Sequence, residues 1–321
     1  MGAPVINTSD KIATRTAYGE VLRDLGRERP EIVALDADLS GSTMTKFFAS
    51  EFPDRFFNMG IAEQNLIDIA CGLALSGKIP FASSFAMFAT GKAWEMVRNS
   101  VGHMDANVKI AATHAGLTLG EDGATHQVLE DIALMRVIPN MTVLVPADAP
   151  ETVAMVRAAA EHLGPVYIRL GRPAVPVLAR TQAIDFRIGR AEWLRHGTDV
   201  TLVACGVMVD QALQAAAELE GEGIQAGVLN MSTIKPIDRE ALILAARQSG
   251  AIVTAEEHTI LGGLGAAVCE VLAEDYPVPV VRVGTRDCYG ESGTPNALLK
   301  KYGLLGTDLA RAARQAIAKK R

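Results

Sequence analysis

The sequence has no basic cluster interleaved with aromatic residues. Its formal charge of −6 and pI near 5.6 leave no basic face for a nucleic-acid scaffold. The terminal Lys319-Lys320-Arg321 reads as a solvated helix end. Long hydrophobic runs are also missing: the most apolar stretch, Leu66 to Thr90, is broken by Asp68 and Lys78, which argues against a membrane span. Met1–Asn7 lacks the charged-then-apolar layout of a signal peptide. Cysteine is limited to Cys71, Cys205, Cys269 and Cys288, far apart and without metal-ligand spacing, so no metal site is expected. They are expected to be buried free thiols in a reducing compartment, and the chain reads as cytoplasmic. No short-period repeat or low-complexity tract is visible.

What remains is an ordinary globular composition. With 49% apolar and 21% charged residues the chain can bury a substantial core, and 321 residues favour two domains over one. Short β-branched runs alternate with segments of helical period. The first half suggests strands Ile32–Leu35, Phe56–Met59, Ile79–Ser83, Val108–Thr113, Thr142–Val145 and Val166–Arg169, with helices at 12–26, 62–76, 87–103 and 149–163. Near-continuous apolar strands separated by helices imply a mostly parallel sheet covered on both faces. The stretch Gly171–Arg187, with Pro173 and Pro176, carries little periodicity and reads as an extended linker. The alternation then restarts with strands Val200–Ala204, Ala226–Leu229, Ala251–Ala255 and Val278–Val283 and helices at 207–220, 239–249 and 262–274. The expected fold is α/β, two doubly wound, mostly parallel-sheet domains at 8–178 and 191–321 joined by a linker at 179–190.

Two segments carry chemistry. The run from Gly116 to Gln127, with His114 just before it, is poor in core-forming side chains and rich in groups that bind or move protons. It follows an apolar strand and precedes a helix-like segment, the setting in which open α/β sheets keep their ligands. In Asn58-Met59-Gly60-Ile61-Ala62-Glu63-Gln64 a strand ends, a glycine turns the chain and a helix opens with Glu63 in its first turn. Glu63 is either a carboxylate favoured by the helix dipole or a desolvated functional group at the mouth of a fully buried helix, 66–75. In the second half, Gly262-Gly263-Leu264-Gly265 could cradle a phosphate at a helix start. Its spacing matches no nucleotide fingerprint, so close packing and turn geometry are the alternative.

Gly60-Ile61-Ala62-Glu63-Gln64, the phenylalanines of Ser83-Ser84-Phe85-Ala86-Met87-Phe88, and Thr113-His114 followed by Gly120-Glu121-Asp122-Gly123-Ala124-Thr125-His126-Gln127 resemble the pyrimidine-binding domain of transketolases. The match extends through Arg15, Asp36-Ala37-Asp38-Leu39-Ser40-Gly41-Ser42 and Arg169-Leu170-Gly171-Arg172. Glu256-Glu257-His258 and the glycine run beyond resemble the family's C-terminal domain. The resemblance implies thiamine diphosphate as cofactor, with Glu63 hydrogen-bonded to the aminopyrimidine ring nitrogen and Phe85 and Phe88 lining its pocket. It implies that Asp122 reads an acceptor hydroxyl and that His126 binds the oxygens of the transferred two-carbon unit, which makes Glu63 and His126 the catalytic pair. Arg15, Ser42, His114 and Arg172 would bind a sugar phosphate, with Arg169 a competitor for the last role. A tyrosine frequent in the family three residues after the second phenylalanine is replaced by Gly91, so the pocket wall must differ.

The family's diphosphate- and Mg²⁺-binding signature, opening Gly-Asp-Gly, does not occur in this sequence. The resemblance therefore implies the C-terminal subunit of a split transketolase. Such a subunit would be inactive alone and would dimerise within a heterotetramer completed by an N-terminal subunit that carries the Mg²⁺. Three other readings share parts of the pattern. A 2-oxo-acid dehydrogenase beta subunit has similar length but is not expected to carry Thr125-His126-Gln127. A split deoxyxylulose-phosphate synthase shares much of the wording, with His114 and Glu121 leaning away from it. A catalytically silent scaffold conflicts with retention of Glu63, Asp122 and His126.

Overall fold

The computed structural model describes residues 7–180 and 184–320. Met1–Ile6, the stretch without a leader pattern, and residues 181–183 of the expected linker lie outside the described residues, as does Arg321.

Strand β1 (Asn7–Ala13) leads into α1 (Thr14–Glu28), β2 (Ile32–Asp36), the short helices α2 (Ser40–Thr43) and α3 (Lys46–Glu51), β3 (Phe56–Asn58), α4 (Glu63–Leu75) and β4 (Ile79–Ser83). Two π-helical turns, Met87–Lys92 and Val97–Gly102, flank α5 (Trp94–Met96). Then come β5 (Lys109–Ala112), α6 (Asp131–Arg136), β6 (Thr142–Leu144), α7 (Ala149–Glu161), β7 (Val166–Arg169) and β8 (Ala174–Val177). The second unit runs β9 (Glu192–Arg195), β10 (Val200–Ala204), α8 (Met208–Glu220), β11 (Ala226–Asn230), β12 (Thr233–Lys235), α9 (Arg239–Ser249), β13 (Ile252–Thr259), α10 (Leu264–Asp275), β14 (Val280–Thr285), α11 (Pro295–Lys301) and α12 (Gly306–Ile317).

The first sheet has the order β12-β6-β7-β5-β4-β2-β3 and is parallel except at β12. The second has the order β14-β13-β10-β11-β9 and is parallel except at β9. The α/β class and the two mostly parallel sheets expected from the alternation are present. β2, β4, β5 and β7 are buried along their whole length, which is why they read as unbroken apolar runs. Local chemistry sets the helix ends. Asp148 and Asp238 cap α7 and α9 by accepting the Glu151 and Ala241 N–H groups at 3.0 Å each, and α9 stops at Gly250 in the left-handed region.

Four features depart from the expectations. Gly171–Arg187 is not linker throughout, because β8 within it pairs antiparallel with β1. β12 lies in the second half of the sequence yet hydrogen-bonds β6, so the first sheet is completed by a strand from beyond the linker. Helix α4 is not fully buried: Asp68, Ile69, Gly72 and Leu75 form an exposed face. Of the four free thiols only Cys71 and Cys205 are buried, while Cys288 is exposed. Small apolar residues make α4 look like core, whereas periodicity alone cannot tell core from an uncovered face.

The core crosses the domain boundary. Val143, Val145 and Tyr167 share one apolar cluster with Val203, Leu229, Met231 and Ile234, and Leu117 and Leu129 sit in the second unit's cluster. Among the described residues no helix is long and apolar enough to cross a membrane.

Candidate active site

The carboxyl ends of β2, β3, β4, β5 and β7 open along one edge of the first sheet, and every segment singled out in that half of the sequence lies there or at the start of α1. After β2, the buried Asp36 organises the turn that carries Ser42. Its carboxylate accepts the Leu39 N–H at 2.5 Å and the hydroxyls of Thr43 and Thr45 at 2.6 and 3.0 Å. The Ser42 carbonyl in turn accepts from Arg15 Nη1 at 2.8 Å. After β3, Asn58 Oδ1 accepts the Gly60 N–H at 3.0 Å, and the turn delivers Glu63 to the first turn of α4. Glu63 is 2% exposed, and its carboxylate accepts from Lys92 Nζ at 2.5 Å.

After β4, Phe85 is nearly buried and Phe88 half-buried, their rings 6.0 Å apart and 15° from parallel. His114 stacks on Phe85 at 3.9 Å, and His126 meets Phe88 edge-on at 5.3 Å. Phe85, Phe88, His114 and His126 thus form one aromatic cluster, with Arg15 joined to it through His114. The π-helical turn shapes this wall. Ala93 N–H reaches back five residues to the Phe88 carbonyl at 3.1 Å, and the turn ends in Lys92. Sequence reasoning missed Lys92, because α-helical spacing does not relate it to Glu63. At Gly91, a Cβ would lie 2.6 Å from Met87 Cε, so a methionine occupies the space that a side chain at 91 would need.

His114 holds the left-handed conformation at φ 61°, uncommon for a residue with a side chain and a mark of a site that constrains its backbone. A guanidinium only donates, so the 3.4 Å contact from Arg15 Nη1 makes His114 Nε2 an acceptor and assigns the ring proton to Nδ1, which donates to Thr113 Oγ1 at 2.8 Å. Burial, and then the charges of Arg15 and Arg172, push the imidazole down to about 3. His114 is therefore neutral at neutral pH, and with Nε2 held by Arg15 it works on the guanidinium as an acceptor. Burial and the like charge of Arg172 lower the Arg15 guanidinium as well, and Arg15 Nε is buried without an acceptor among the described residues. Two guanidiniums that feel each other's like charge, and an orphaned donor, are a setting that an anion would relieve.

Arg172 donates to the Leu119 carbonyl at 2.6 Å and to Glu121 at 3.3 Å, at the edge of solvent. Arg169 is committed elsewhere. It is buried, donates from Nε to Asp131 at 2.7 Å, and reaches the Glu257 carbonyl from Nη2 at 2.9 Å. Asp122 lies exposed on the loop and His126 is half-buried behind it, with Nδ1 3.0 Å from Thr125 Oγ1.

The loop 114–127 rests on the second unit. Gln127 Nε2 donates to the carbonyls of Leu117, Gly120 and Glu291. Glu257 accepts the Thr118 N–H, and a Cβ on Gly116 would run into its carboxyl carbon. Gly116, at φ 81°, is thus required twice: for its backbone and for the space Glu257 fills. The neighbouring carboxylate settles the glycine run at 262–265. Glu256 accepts the N–H groups of Leu264 and Gly265 at 2.7 and 2.8 Å, and a Cβ on Gly263 would collide with its Oε2. The anion at the start of α10 is the chain's own, and the close-packing alternative applies there.

Comparison with known proteins fits this geometry. Residues 10–177 match the transketolase pyrimidine-binding domain and residues 189–308 the transketolase C-terminal domain. A solved structure described as a split-gene transketolase, inactive beta4 tetramer, superposes with a TM-score of 0.91 at 59% identity, covering 97% of this chain and 100% of that one. A Methanocaldococcus jannaschii protein whose provisional name is transketolase C-terminal section is 50% identical over 92% of this chain and 94% of its own length. The 6-deoxy-6-sulfo-D-fructose transketolase subunit SqwH of a Clostridium strain is 44% identical over 95% of each. Two domain matches that span most of the sequence, and relatives aligned along nearly their whole length, identify the chain as a member of the transketolase family.

Proposed function

We propose that the chain is the C-terminal subunit of a split transketolase, moving a two-carbon ketol unit from a ketose phosphate to an aldose phosphate. It does so when joined by a separate N-terminal subunit that binds the diphosphate and Mg²⁺ of thiamine diphosphate. The observation that carries this reading is the presence, at one sheet edge, of a buried carboxylate, a near-parallel aromatic pair and two guanidiniums that feel each other's charge. The descriptions of the split-gene structure and of the Methanocaldococcus protein support the division into subunits.

These residues fit an aminopyrimidine. Glu63, buried at the start of α4, would hydrogen-bond the ring nitrogen and share a proton with it, while Phe85 and Phe88 would line the ring's pocket, Phe88 as the stacking partner. When bound, thiamine diphosphate supplies a nucleophilic carbon that takes up the two-carbon unit. Arg15, Arg172 and Ser42 would bind the sugar phosphate, with His114 orienting Arg15 and walling the pocket. Asp122 would read a hydroxyl of the acceptor, and His126 would hydrogen-bond the oxygens of the transferred unit. Such contacts select by configuration, because a wrong hydroxyl leaves a buried polar group unpaired. The natural assembly is a dimer of this chain with two N-terminal subunits, in the cytoplasm.

The test is mixing. The chain and an N-terminal subunit carrying Gly-Asp-Gly, supplied with thiamine diphosphate and Mg²⁺, should turn over sugar phosphates that neither processes alone. Glu63→Ala should abolish that turnover while leaving the circular dichroism spectrum unchanged. Robust turnover by this chain alone, or near-normal turnover by the Glu63→Ala assembly, would sink the reading.

A further inference from the structure

The proposed function gives Glu63 to a cofactor ring, and the role inferred for its neighbour Lys92 rests on that reading. The carboxylate already has a donor. Lys92 Nζ stands 2.5 Å from Oε2, and the two side chains differ sharply in exposure, 43% for Lys92 against 3% for Glu63. Carboxylates on the elements around α4 that could compete for Lys92 are engaged elsewhere. Asp68 binds Ser100 Oγ, Glu95 binds Asn99, and Asp36 holds the Ser42 turn. The buried end of the pair is thus fixed and the cationic end reaches water on a flexible four-carbon stem.

A carboxylate buried without a partner is costly, and Lys92 removes that cost. A ring nitrogen and Glu63 that share a proton taken up from solvent place a second positive charge on the same carboxylate, and two cations on one buried anion disfavour each other. The more exposed, more mobile one yields. The π-helical turn fixes the setting, since it holds Phe88 against His126 and ends in Lys92 beside Glu63.

We propose that Lys92 is a displaceable counter-ion of Glu63, a positioning residue that competes with the aminopyrimidine for one buried carboxylate. It keeps the carboxylate compensated and aimed, and it swings into solvent as the ring docks.

The pairing is tested on the chain alone by acetylating amines with an N-hydroxysuccinimide ester and following the Lys92 peptide by mass spectrometry. Glu63→Gln should speed modification of Lys92 several-fold while leaving other lysines unchanged; equal rates overturn the proposal. Displacement is tested on the assembly with the N-terminal subunit, by calorimetric titration with thiamine diphosphate. Lys92→Met should tighten binding roughly fivefold, the scale of losing a half-exposed competing ion pair, and Lys92→Arg should restore wild-type affinity. Unchanged or weaker binding by Lys92→Met, with Glu63→Gln still crippling affinity, overturns this proposal alone. Wild-type affinity in Glu63→Gln overturns it together with the role given to Glu63.

Discussion

The ion pair of Asp131 and Arg169 offers the sharpest quantitative test of how this molecule is held together. Asp131 is wholly buried at the start of α6 and accepts from Arg169 Nε at 2.7 Å and from the Tyr167 hydroxyl at 2.6 Å. Burial alone would raise its carboxyl, but the charge of Arg169, then that of His258, holds it below the ordinary carboxylate range. Arg169 continues to the Glu257 carbonyl, so the pair links the first sheet to β13. Asp131→Leu leaves a guanidinium buried and uncompensated, a change that costs about 3–5 kcal/mol, and Arg169→Met strands the carboxylate at a similar cost. For a domain of this size that is a fall in melting temperature of about 6–20 °C. The double variant removes both charges and fills the space with apolar atoms, which is close to neutral in other buried pairs. It should therefore recover most of the loss. Urea unfolding followed by tryptophan fluorescence reads this directly, because Trp94 Nε1 donates to the Leu134 carbonyl within α6 at 3.1 Å, while Trp193 reports from β9. Single variants that lose less than about 1 kcal/mol, or a double variant as damaged as the sum of its parents, would refute the reasoning.

Two further outcomes are expected. The His114 imidazole is pushed down to about 3, whereas an unfolded histidine titrates near 6.5. Between those values the unfolded chain binds a proton that the fold refuses, so stability is complete above pH 6.5 and falls by about 1.4 kcal/mol per pH unit on acidification. His114→Asn should remove that slope from urea midpoints measured between pH 6.5 and 4.5, and an unchanged slope would count against a neutral, buried His114. At Thr118, whose N–H is accepted by Glu257, Glu257→Ala should lower amide exchange protection by about tenfold, the scale of one lost buried acceptor. Glu257→Gln keeps an acceptor oxygen and should hold protection near wild type, and equal exchange in all three proteins would contradict the contact.

The strands of the first sheet are legible in the sequence because they are buried on both faces, and the loop 114–127 is legible because its polarity is too dense for a structural turn. What escapes has physical causes. β1, β8, β9 and β12 are short edge or paired segments whose partners lie far away in sequence, so period and propensity carry little trace of them. Lys92 is invisible because a π-helical turn breaks the 3.6-residue spacing by which faces are read. Arg169 and Arg172 are indistinguishable as letters three apart. Only burial separates the guanidinium locked onto Asp131 from the one at the pocket rim. The resemblance gives His114 to a sugar phosphate, and what the letters do not show is the 3.4 Å contact that joins its outer nitrogen to Arg15, a residue 99 positions earlier.

The strand β12 has a consequence for how such genes can be reshuffled. Because Thr233–Lys235 closes the β6 edge of the first sheet, a product cut in the linker would present that edge bare, a template for intermolecular pairing. The two domains are thus one heritable piece. A break upstream of both leaves a foldable subunit, whereas a break between them leaves a fragment prone to aggregate. Gene fission should spare the linker and fall elsewhere.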